Sequence, residues 1–135
     1  MSALPSVKDF NRYNSLDERA AVEHFFGKTR SQVAEMIANN SLLYQEDFIW
    51  IGPIAFNYYI DAVGDYLLDQ RSVGDADFVS AMAATLEFRL KHDCGQLDHI
   101  KVANIVKIVL DCYAKFEVDR KADGDLETRY RKIIY

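Results

Sequence analysis

The chain has 135 residues, half of them hydrophobic and 13% aromatic, which is enough to bury a core and excludes a disordered polymer. A formal net charge of −5 and a pI near 5.1 exclude the basic footprint that nucleic acid or an anionic membrane would require, and leave a basic protein as a compatible partner. Two cysteines, Cys94 and Cys112, make no disulfide framework; with no secretory pattern in MSALPSVKDF and no apolar run of membrane-spanning length, the expected location is the cytoplasm.

The spacing of apolar residues predicts an all-α fold, one domain over residues 1–135 forming a bundle of about six helices. Residues 1–14 read as an irregular or briefly helical lead-in. Ser15 with Glu18, then Thr29 with Gln32, are capping boxes that open two helices. The first turns Ala20, Ala21, Phe25 and Phe26 inward and stops at Gly27; the second uses Val33, Met36 and Ile37. A third helix runs from Ser41, a candidate cap, to Trp50, with Leu42, Leu43, Phe48 and Ile49 as its apolar positions.

Gly52-Pro53 marks the firmest boundary, because proline suits the first turn of a helix and disfavours helix just before it. From Pro53 two rows at four-residue spacing make a broad core-facing stripe: Ile54, Tyr58, Ala62 and Tyr66 beside Ala55, Tyr59, Val63 and Leu67. After a turn at Arg71 to Asp75, a fifth helix carries Val79, Met82, Ala83, Leu86 and Leu90 and breaks at His92 to Gln96. The sixth, Leu97 to Val118, is the longest and most apolar. Ala122-Asp123-Gly124-Asp125 is a turn, and Leu126 to Tyr135 reads as a short basic helix capped by Asp125.

Few residues carry the signature of chemistry. Gly27-Lys28-Thr29 ends like a phosphate-binding loop, yet Val22 stands where the first glycine belongs and a helix precedes it. Asp119 to Glu127 imitates a calcium loop, but Lys121 and Tyr130 occupy ligand positions. His92, Cys94, Asp98 and His99 are the only local group of metal-capable side chains, and their spacing fits no standard zinc pattern. No serine elbow or cysteine signature is present. No cofactor is expected.

One edge of the Pro53 helix is unusual. Asn57, Asp61, Asp65 and Asp69 follow one another at four-residue spacing, where like charges repel by a few tenths of a kcal/mol per pair. Asp69 also falls near the negative end of the helix dipole. This arrangement calls for cations, either internal (Arg71, Arg120, Lys121, Arg129, Arg131 and Lys132 being the candidates) or on a basic partner. The aromatics Tyr44, Phe48, Trp50, Phe56, Tyr58, Tyr59 and Tyr66 are more than one helix face can bury, so some of them, with Trp50 and Tyr58 foremost, are expected at a binding surface or a homodimer contact.

The run Gly52-Pro53-Ile54-Ala55-Phe56-Asn57-Tyr58-Tyr59, continuing to Asp65-Tyr66-Leu67, resembles a Pro-x-Ala-Phe-x-Tyr-Tyr motif of small uncharacterised bacterial helical proteins, over about a tenth of the chain. The resemblance implies a helical bacterial protein and brings no site residues. The expected function is a non-catalytic interaction domain, such as an immunity-type neutraliser of a basic protein, using Asn57, Asp61, Asp65, Asp69, Trp50 and Tyr58. The alternative is a small helical enzyme or metal-binding protein using His92, Cys94 and His99.

Overall fold

The structure, a computed structural model, describes residues 3–11, 13, 15–119, 121 and 124–134. Among these residues it is all helical. Eight α-helices, α1 (Val7–Phe10), α2 (Leu16–Phe25), α3 (Arg30–Asn39), α4 (Ser41–Trp50), α5 (Pro53–Leu68), α6 (Ala76–Asp93), α7 (His99–Asp111) and α8 (Leu126–Ile133), are joined by 3-10 turns at Gln70–Ser72 and Tyr113–Phe116, with no strand. The count of about six is exceeded because the lead-in forms α1 and the expected basic tail helix, capped by Asp125, forms α8. No helix among the described residues is long and apolar enough to cross a membrane.

The helix starts follow their caps. Ser15 and Thr29 accept from the backbone N–H of Glu18 and Gln32, and both capping boxes are complete. Asp75 accepts from Phe78 N–H, and Asp125 from Thr128 N–H. Gly27 ends α2 with φ +79°, a left-handed conformation that costs glycine little.

Three local expectations are corrected. Ser41 does not cap α4; Asn40 precedes the helix, and the Ser41 hydroxyl donates to the Asp75 carboxylate at 2.7 Å. The sixth expected helix is shorter at both ends. Asp98 starts it by accepting from Ile100 and Lys101 N–H, and its far end tightens into the Tyr113–Phe116 turn, which closes on Glu117 at φ +56°. Phe26, Leu42 and Leu43 are exposed, because the core is already filled by Ala21, Phe25 and Phe48. The turn at Ala122-Asp123 and the cation Arg120 lie outside the described residues.

One cluster of buried apolar side chains runs from Phe10 to Tyr130. Helix α5 lies at its centre, packed on α3 and α7, while α4 packs on α2 and α6. The Ala55, Tyr59, Val63 and Leu67 row is fully inside, whereas Ile54 is exposed. The Tyr59 hydroxyl donates to the carbonyls of Phe25 and Lys28 at 2.9 and 2.8 Å, satisfying the end of α2. Burial pushes that phenol up to about 12.

Arg89 does the same for α4. Its guanidinium is fully buried, and Nη1 donates to the carbonyls of Phe48 at 3.0 Å and Ile51 at 2.6 Å. Nε meets Asp93, one turn on, at 2.8 Å. The charge also sits 4.7 Å from the Phe56 ring centroid. This buried cation fixes the last turn of α4, and with it the position of Trp50.

Candidate functional site

The acidic row stays together on the edge of α5, but its charge is answered from within the chain. Arg30, on the first turn of α3, forks onto Asp65 with Nε–Oδ2 at 2.7 Å and Nη2–Oδ1 at 2.8 Å. That bidentate bond raises the Arg30 pKa. Asp61 takes Lys101 Nζ at 2.9 Å, with Arg30 at 3.8 Å. Arg71 bridges Asp69 at 2.9 Å and Glu35 at 2.7 Å; its hydrogen bonds hold the Asp69 carboxyl at about 2.

Among the described residues, only Arg71 of the expected internal cations serves this row. Arg129 pairs with Glu87 across the α6–α8 contact, and Arg131 with Glu127 one turn back on α8 itself. Asn57 braces the loop before α7: its Nδ2 donates to the Gln96 carbonyl at 2.9 Å, and Asp98 N–H donates to its Oδ1 at 2.8 Å. A hollow of about 350 Å³ beside Glu35, Asp65, Asp69 and Arg71 is therefore lined by charges already paired, Glu35 and Asp69 with Arg71 and Asp65 with Arg30.

The metal-capable group does not converge. The His92 ring lies on Phe88 at 4.4 Å between centroids. His99 Nε2 is bonded to the Cys94 carbonyl oxygen and stands 3.9 Å from Cys94 Sγ, and Asp98 is occupied as a helix cap. Among the described residues no group of three or more His, Cys, Asp or Glu side chains is gathered as a metal site.

Of the expected aromatics, Phe48, Phe56, Tyr59 and Tyr66 are buried. Tyr58 stands edge-on to Tyr59 at 4.8 Å between centroids, and Tyr44 packs against the core. Trp50 is different. It is 38% exposed and lines two cavities at once.

The larger cavity, about 280 Å³, lies between the start of α2 and the end of α6. Tyr13, Trp50, Phe88 and His92 give it aromatic walls, and Asp17, Glu18 and Asp93 its carboxylates. Trp50 and Phe88 meet edge to face at 6.3 Å. The smaller, about 140 Å³, lies between α2 and α4 and is lined by Ala20, His24, Leu43, Glu46 and Asp47. Asp17 and Trp50 line both, so the two cavities adjoin and together make up the Trp50 furrow.

Five carboxylates line this furrow, and no lysine or arginine does among the described residues. Three are already engaged. Glu18 accepts from Tyr13 and Ser15 N–H, Asp93 from Arg89, and Asp47 Oδ2 lies 2.6 Å from His24 Nδ1. Burial raises the Asp47 carboxyl to about 6, while the His24 hydrogen bond pulls the other way. Asp17 and Glu46 are exposed and have no ion-pair partner among the described residues.

Sequence reasoning singled out Trp50 and His92 but missed the furrow, whose walls come from three helices. Phe88 was the available signal: it is a large aromatic outside the Val79, Met82, Leu86 face, and His92 stands one turn beyond it. No family model, curated protein or solved structure matches the chain.

Proposed function

We propose that this chain is a non-catalytic interaction protein, a single cytoplasmic helical bundle that docks a basic protein partner along the Trp50 furrow. An immunity-type neutraliser is one concrete form, and the likeness of the Pro53 motif to bacterial helical proteins agrees with it. The observation that supports the reading is the furrow's composition: half-exposed aromatic walls and two uncommitted carboxylates, with no cation lining it among the described residues. Exposed tryptophan and tyrosine beside carboxylates are the usual anchors for a basic surface. The α5 row serves this purpose less well, since Arg30, Lys101 and Arg71 already answer its charge.

The test compares partners captured by wild type and by an Asp17→Lys/Glu46→Lys variant of unchanged helicity. A basic protein, identified by mass, should be lost with the variant and kept by Asp65→Asn. Loss with Asp65→Asn alone would place docking on α5 instead. A dimer that dissociates on Trp50→Ala, seen by sizing chromatography, would give the furrow to a second copy and overturn the basic-partner reading.

A further inference from the structure

We propose that the furrow reads two points on its partner: an aromatic side chain in the larger cavity and, across Trp50, an arginine side chain in the smaller one. This rests on the interaction reading above and adds the chemistry of the segment recognised.

Both cavities carry carboxylates, but the larger has more aromatic wall, Tyr13, Trp50, Phe88 and His92 against Trp50 and His24 in the smaller. The larger has walls from Tyr13, Trp50 and Phe88 and a volume of about 280 Å³. A volume of about 150 Å³ is enough to hold benzene, so this one has room for a phenyl or phenol ring against its aromatic side, while the Glu18 and Asp93 carboxylates in its wall are held by Tyr13 and Ser15 N–H and by Arg89. Ring pairs there gain from edge-to-face geometry of the kind Trp50 and Phe88 already show. The smaller, about 140 Å³, matches one flat polar group on an aliphatic stem.

Arginine meets the demands of that smaller cavity. Leu43 and Ala20 line it with apolar surface for the methylenes, Trp50 with an indole for the guanidinium, and the exposed Asp17 and Glu46 with uncommitted carboxylates. A planar fork satisfies two carboxylates and stacks on indole in one geometry, whereas an ammonium is a point charge with stronger hydration. Asp47 adds negative charge behind them, with one oxygen already held by His24. Because Trp50 lines both cavities, the single tryptophan is the natural reporter.

The experiment titrates wild type with acetyl-Phe-Arg-amide and with forms spaced by one or two alanines, following Trp50 fluorescence and amide shifts. At least one spacing should bind saturably. Norleucine in place of arginine should weaken it tenfold or more, lysine severalfold, and alanine in place of phenylalanine tenfold. Asp17→Asn/Glu46→Gln, both exposed and checked for unchanged helicity, should weaken the arginine peptide tenfold and leave the norleucine peptide unchanged. Equal binding of the norleucine peptide, or no binding of any spacing at 10 mM, overturns the proposal. If a basic partner is still captured through Asp17 and Glu46 while the peptides fail, only the two-point motif falls. Arginine-dependent peptide binding supports the motif even where no cellular partner is found.

Discussion

Arg89 on α6 donates to the carbonyl of Ile51 at 2.6 Å, so a fully buried cation closes the helix that carries Trp50. Asp93 supplies its counter-charge, and the chain gains a fixed angle between α4 and α6 where the furrow opens. Placing two ions inside is costly unless their hydrogen bonds are well satisfied. Here the bonds from Nη1 to helix-end carbonyls and from Nε to Asp93 reduce that cost.

Arg89→Met should therefore destabilise the fold by about 3–5 kcal/mol, the loss typical when one member of a buried ion pair is removed. Urea unfolding measures it. Arg89→Met/Asp93→Leu together should recover part of the loss, since no uncompensated carboxylate remains.

Asp47 should make stability depend on pH in a direction unusual for a carboxylate. Its folded pKa, raised by burial to about 6, lies above the ordinary value, so the folded state binds the extra proton between the two. Charged Asp47 thus destabilises the fold above about pH 6, and the penalty is relieved as pH falls toward about 4. Asp47→Asn should be more stable than wild type by on the order of 2–3 kcal/mol at pH 8, with the difference shrinking below pH 6. Paired thermal melts across pH 4–8 check the sign.

The α5 edge should behave as internal scaffolding. Arg30→Ala removes an exposed, bidentate pair and should cost about 0.2–1 kcal/mol, less at high salt. Partner capture should be unchanged.

Gly52 sits where α1 docks. Its N–H donates to the Phe10 carbonyl at 2.7 Å, and a Cβ there would press into the Asp9 carbonyl oxygen. Gly52→Ala should cost about 1–3 kcal/mol and expose the amides of residues 7–10 to faster hydrogen exchange.

The helices were legible in the sequence because their signals are local: Ser15 with Glu18, Thr29 with Gln32, and Pro53 after Gly52 each act within one turn. The α5 core row was legible for the same reason, as a four-residue repeat. What escaped depends on packing between helices. Arg30 and Lys101 answer the aspartate row from α3 and α7, 35 and 40 positions from Asp65 and Asp61 respectively, and no local pattern pairs them. The furrow likewise depends on packing between helices: Arg89 ties the end of α4 to α6, where Phe88 meets Trp50. His92 carried a visible signal, but one that suggested metal, and its ring instead packs on Phe88.

Amide and side-chain shift mapping with a short arginine-rich peptide tests the docking surface most directly. Perturbations should centre on Asp17, His24, Glu46 and Trp50 and fade with added salt. Shifts confined to Asp61, Asp65 and Asp69, with the Trp50 indole unmoved, would contradict the furrow as the binding face.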